Sequence, residues 1–106
     1  MQNDGATVTL NLNNADFQQG LFALGKDERN KAIETLRKIS KMRWDQIYAD
    51  NGLKWEKITT ATPPKGASVV YTLRISRSRR ATAYRDGTTM CFLSIAPDHD
   101  ATYGRK

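Results

Sequence analysis

Apolar and polar residues alternate with period two over residues 7–12, where Val8, Leu10 and Leu12 are separated by Thr7, Thr9 and Asn11. That period predicts a half-buried strand, which Asn13-Asn14 ends. Asp16 is placed to cap a short helical piece carrying Phe17, Leu21, Phe22 and Leu24, closed by Gly25. The period then changes. Ile33, Leu36, Ser40, Trp44 and Ile47 recur at steps of three and four, with Ile39 and Tyr48 beside them. This predicts an amphipathic helix that opens at Lys26 or Asp27 and reaches a C-cap at Gly52. Lys31, Glu34, Arg37, Lys38 and Lys41 fall largely off the apolar stripe. The span is long for a small domain, so a break is expected near residues 42–44. Leu53, Trp55 and Ile58 begin another extended piece.

Residues 59–68 are turn-rich, with Pro63-Pro64 and Gly66. Strand patterns follow. Over 69–75, Val69, Tyr71, Leu73 and Ile75 face one way, and Val70, Thr72 and Arg74 the other. Residues 76–78 can turn, 80–85 form a second strand, and Asp86-Gly87 is a strong hairpin signal. Residues 89–95 are almost continuously apolar, as in the centre of a sheet, and Pro97 closes them. The expected fold is α+β: an N-terminal strand, helical segments, then a three-strand antiparallel meander. Helices cover one face of the sheet, and the face with Arg74, and with Arg80 or its neighbours, is partly open.

A length of 106 residues allows one domain, spanning 1–106. A single cysteine, Cys91, excludes a disulfide framework and a cysteine-based zinc site. Mean hydropathy is −0.64. No apolar run approaches the ~20 residues that cross a bilayer, and the polar, alternating N-terminus is no secretory signal. A cytoplasmic protein is expected. Seventeen Lys and Arg against eleven Asp and Glu give a net charge of +6. The charge is uneven: −2 over residues 1–25 and +4 over residues 69–106. A small basic domain attracts polyanions or an acidic partner surface.

Five arginines, Arg74, Arg77, Arg79, Arg80 and Arg85, fall within twelve residues. The guanidinium keeps its charge and its fork matches phosphate oxygens. Tyr71 and Tyr84 interleave with them, and bases stack on such rings. His99, the only histidine, lies between Asp98 and Asp100, with Tyr103 four residues on. Its proton can exchange near neutral pH. Those acids make too weak a set for a metal site, so neither metal nor cofactor is expected. Cys91 reads as a buried structural thiol, and Trp44 and Trp55 as core. The chain has no Walker loop, no GxGxxG and no GxSxG.

The last third carries a resemblance. Tyr71-Thr72-Leu73-Arg74-Ile75, Arg80-Ala81-Thr82-Ala83-Tyr84-Arg85, Phe92-Leu93-Ser94-Ile95 and His99-Asp100-Ala101-Thr102-Tyr103 resemble the RelE/ParE toxin superfamily of bacterial type II toxin–antitoxin systems. The motif likeness covers about 35 residues, and the rest agrees only in element order. The resemblance implies a microbial RNase-like fold and, in the RelE branch, an endoribonuclease that cleaves mRNA on the ribosome. Arg80 matches the arginine used on the scissile phosphate, Arg74 a basic strand position, and Tyr103 the C-terminal tyrosine that orients substrate. His99 falls where the family carries a basic side chain. The lysines of some RelE enzymes are unmatched, since Thr72 and Ser76 stand nearby. Metal-independent attack of a 2′-hydroxyl on the adjacent phosphate needs a base, an acid and fixed cations. Arg80 with Arg74 or Arg77 supplies the cations and His99 the acid. Asp100, His99 and Tyr103 are each candidates for the base. Arg79, Arg85 and Tyr84 join the substrate-binding set. Arg80 is expected to be exposed. The implied partners are mRNA, the ribosome and a cognate antitoxin. Two other readings stay open: a ParE-like gyrase poison and a non-catalytic basic module.

Overall fold

The computed structural model describes residues 4–58, 63–64 and 67–95. His99, Asp100 and Tyr103 lie outside them. The described residues form a small α+β domain of three helices and a five-strand mixed sheet. In chain order these are β1 (Thr9–Asn11), α1 (Ala15–Ala23), α2 (Lys26–Ile39), α3 (Trp44–Ala49), β2 (Glu56–Ile58), β3 (Val70–Arg74), β4 (Arg80–Asp86) and β5 (Thr89–Ile95). The strand order is β1-β5-β4-β3-β2. β2, β3, β4 and β5 pair antiparallel, whereas β1 joins β5 in parallel. The N-terminal strand therefore makes the sheet mixed, and the short β2 adds an edge beyond the three strands expected after the connector.

The helix expected from Lys26 to Gly52 is two helices, and the chain's own backbone explains the break. Val8 donates its N–H to the Met42 carbonyl and Trp44 donates to the Ala6 carbonyl. A helix running through 42–44 would need those groups for its own ladder, so N-terminal residues 6–8 claim them instead. Ser40, counted in the apolar stripe, ends α2 as its C-cap and is exposed; Ile33 and Tyr48 are each 46% exposed. The stripe that is buried is Ala32, Leu36 and Ile39, continued by Trp44 and Ile47.

Capping also differs from expectation. Asn14, not Asp16, caps α1, its Oδ1 accepting from the Phe17 N–H at 3.1 Å. The turn after α3 is held by Asp50, whose Oδ1 accepts from the N–H groups of Gly52 and Leu53. Lys54, rather than Gly52, takes the left-handed φ of +51° there. At the β4–β5 hairpin Gly87 takes φ of +63°, a conformation that costs glycine least.

Cross-strand register assigns the faces. Leu10, Met90 and Arg85 share one row, Phe92, Ala83 and Tyr71 the next, and Ile95, Ala81 and Leu73 the third. This face meets the helices. The Phe17 ring packs on Phe92 at 5.0 Å between centroids, and Gly20 lets α1 approach β5 so closely that an added Cβ would stand 3.2 Å from Ile95 Cβ. Leu93 has no partner on β4, because Thr82 pairs with Ser94 and Ala83 with Phe92. This bulge keeps both Phe92 and Ile95 on the helix side. Phe17→Ala is expected to cost about 3–5 kcal/mol, since Phe17 is fully buried. Phe22→Ser should change stability by less than ~0.5 kcal/mol, because Phe22 is 69% exposed. Urea unfolding of the two variants checks both.

Candidate nucleic-acid interface

The five arginines divide by strand parity and by what each one touches. Arg85 is on the helix face. Its side chain is only 3% exposed. The guanidinium lies 4.1 Å from the Trp44 ring centroid and donates to Asp4 Oδ1, the Tyr48 hydroxyl and the Gly87 carbonyl. It is a buried, paired cation stacked on an aromatic, and this removes it from the substrate-binding set read from sequence. Tyr71 is on the same face, stacked on Trp55 at 4.5 Å, so its ring is occupied.

Arg79 is anchored too. Its Nε donates to Glu28 Oε1 at 2.9 Å, while the hydroxyls of Ser76 and Ser78 both donate to Glu28 Oε2 at 2.7 Å. One carboxylate on the first turn of α2 thus holds the whole β3–β4 loop. Hydrogen bonds from Ser78, Ser76 and Arg79 hold the Glu28 carboxyl down at about 2. Arg79 is therefore a structural partner of α2 and not a free substrate contact.

Arg74 and Arg80 remain on the face turned away from the helices, directly opposite each other across β3 and β4. Arg80 Nε donates to the Thr72 hydroxyl at 2.8 Å and Nη2 donates to the Lys54 carbonyl at 3.3 Å. Glu56 lies 3.7 Å from Nη2. Arg80 is thus half-buried and held by three groups rather than freely exposed. The left-handed backbone at Lys54 belongs to the turn that presents one of them. The side chains of Arg74 and Arg77 are exposed, with no hydrogen bond or ion pair among the described residues. Beside the arginine pair runs a hydroxyl row, Thr72, Thr82 and Ser94, in which Thr82 and Ser94 share a hydrogen bond of 2.6 Å.

Tyr84 also lies on this face, opposite Cys91. A hydrogen bond shared with the Cys91 thiol pushes the Tyr84 phenol up from its ordinary value. Cys91 is buried, as expected of a structural thiol, and Val70 beside Tyr84 is buried as well. The result is an apolar strip next to a cationic one. β5 ends at Ile95, which pairs with Ala81, the neighbour of Arg80.

Lys54 is not among the residues singled out from sequence, and Glu28 reads there only as an acidic residue suited to the positive end of the α2 dipole. Their roles rest on contacts across 26 and 48–51 residues, which no local pattern records. Among the described residues no group of histidine, cysteine and carboxylate side chains is arranged to hold a metal, and no helix is long and apolar enough to cross a membrane. Comparison of the chain with family models, curated proteins and solved structures finds no match.

Two outcomes test these assignments. Glu28 titrates from about 4.5 when unfolded to about 2 when folded. Its contribution is complete above pH 4.5 and is lost as pH falls toward 2. Glu28→Gln is expected to flatten the fall in stability across that window, by up to about 3 kcal/mol at its upper end; denaturant midpoints measured at intervals from pH 6 to pH 2 read this directly. Arg85→Ala is expected to cost about 2–3 kcal/mol, because it leaves Asp4 and Tyr48 without their partner. An unchanged melting temperature would return Arg85 to the list of surface cations.

Proposed function

We propose that this protein is the toxin of a type II toxin–antitoxin system, of the RelE-like kind, and that it cleaves mRNA on the ribosome by attack of a 2′-hydroxyl on the adjacent phosphate. The observation that carries the reading is the Arg74–Arg80 pair. Arg74 and Arg80 hold directly opposite register positions on β3 and β4, and like charges so placed destabilise a sheet unless something offsets them. A phosphate between them does so. Arg80 is fixed by Thr72 and the Lys54 carbonyl, so its position is set before any substrate arrives. Fixed cations of this kind stabilise the charge that develops on a phosphorane.

The remaining roles follow from the resemblance and fall on residues outside the described ones. His99 protonates the leaving 5′-oxygen. Tyr103 stacks on or orients the substrate. Asp100, His99 and Tyr103 stay candidates for the base. An acidic or amphipathic segment of the antitoxin would cover the arginine face and neutralise it. In that arrangement the binding of toxin to antitoxin weakens with salt.

The test is cleavage of mRNA on purified ribosomes, measured in single turnover, alongside growth of a host expressing each variant. Arg80→Ala is expected to slow cleavage by roughly 10²–10³ and to relieve growth arrest. It should cost about 1 kcal/mol in stability, so the variant stays folded. His99→Ala is expected to slow cleavage at least roughly tenfold with little change in affinity. A folded Arg80→Ala protein with full activity would remove the arginine pair from the site. Unchanged cleavage in both His99→Ala and Tyr103→Ala, with supercoiling by gyrase inhibited, would move the reading to a gyrase poison.

A further inference from the structure

A cleft of about 470 Å³ opens where α2 passes the β3–β4 loop. Lys31, Glu34 and Lys38 line it from α2, Leu53 from the turn after α3, and Arg74 and Arg77 from the end of β3 and the loop. Its size lies in the range of about 300–1,000 Å³ that accommodates a small ligand. Four of these six side chains are cations and one is a carboxylate. Lys38 is paired with Asp50 at 3.1 Å, and Glu34 lies 4.0 Å from Arg37. Lys31, Arg74 and Arg77 have no ion-pair partner among the described residues. The loop that carries Arg77 is fixed to α2 through Glu28, so Arg77 is held beside α2 rather than on a free arm.

Arg74 joins this cleft to the other face. It lines the cleft and is also the direct cross-strand neighbour of Arg80. We propose that the cleft holds the sugar–phosphate backbone of the RNA strand next to the scissile phosphate, with Lys31 and Arg77 as phosphate contacts and Arg74 as the bridge between the two regions. The proposal rests on the reading of the chain as an RNA-cleaving protein and names where that RNA runs. No aromatic ring is among the described residues that line the cleft. Bases therefore have nothing to stack on there, and the contact is to backbone and independent of sequence.

Salt dependence of binding separates this from a merely basic surface. The probe is a fluorescent ten-nucleotide 2′-O-methyl oligoribonucleotide, which lacks the attacking hydroxyl, and the readout is anisotropy across salt concentrations. The paired variant Lys31→Gln/Arg77→Gln removes two exposed cations, so the fold is retained. Each lost phosphate contact lowers the slope of log K against log salt by about 0.7 for a single strand. The paired variant is expected to lower the slope by about 1.4 and the affinity at 50 mM salt by at least about tenfold, equally for uridine-rich and adenosine-rich probes. The control Lys26→Gln/Lys57→Gln removes the same charge outside the cleft and should change the slope by less than half as much. An unchanged slope in the Lys31/Arg77 variant, an equal loss in the control, or no binding by the wild type overturns the proposal. Cleavage of unmodified mRNA is read separately. Cleavage without cleft dependence leaves the ribonuclease reading intact and removes the cleft. Cleft-dependent binding without cleavage does the reverse.

Discussion

The carboxylate of Glu28 is the contact on which the basic surface depends. It accepts from Ser76, Ser78 and Arg79 together, joining the first turn of α2 to the loop between β3 and β4. A five-residue loop rich in serine and arginine would otherwise be solvated and mobile. Three hydrogen bonds to one ionised group, two of them from hydroxyls at 2.7 Å, are the strong charge-assisted kind. They consume one arginine of the cluster internally. In doing so they fix the loop's path, with Arg77 facing outward and Arg80 entering β4 beside Thr72.

A second division of labour is built from the N-terminus. Residues 6–8 pair with the backbone at 42–44, which ends α2 and starts α3 with Trp44 buried. Trp44 donates its indole N–H to the Thr88 carbonyl and receives the Arg85 guanidinium on its ring. Asp4, in the same N-terminal segment, closes the arrangement by accepting from Arg85. The one early acidic residue in the described N-terminal strand region is thus used to neutralise a cation buried under the helices. The negative charge of the N-terminal quarter and the positive charge of the last third are not merely separated along the chain; they meet at this point.

These contacts explain which parts of the structure could be read in advance. The strands from Val70 to Ile95 follow period-two patterns and a hairpin dipeptide, which are local signals, and their ends fall within about two residues of expectation. The parity of Arg74 followed from the same alternation, whereas on the next strand Arg80 and its neighbours were not told apart. Arg85 was misread. Its parity alone places it among Met90 and Leu10, but the charge invited an outward reading, and only Trp44 and Asp4, 41 and 81 residues away, make a buried position tolerable. Arg79 failed for the same reason, because Glu28 is 51 residues distant. The helix break was suspected from length, yet its cause lies in backbone pairing with residues 6–8, which carries no side-chain signature.

The arrangement leaves an asymmetry in how the cations are matched. Glu28, Asp4 and Asp50 each neutralise a basic group that ties two elements together: Arg79, Arg85 and Lys38. Glu56, the only carboxylate among the described residues paired with the arginine face, stands 3.7 Å from Arg80 and is largely exposed. At that distance in solvent its attraction is weak. Acidic groups are therefore concentrated where the fold needs them. A stable domain has no need of an unmatched Arg74 opposite Arg80, since an alanine or threonine pair would serve the sheet better. The residual positive field at that end of the sheet is a cost in stability.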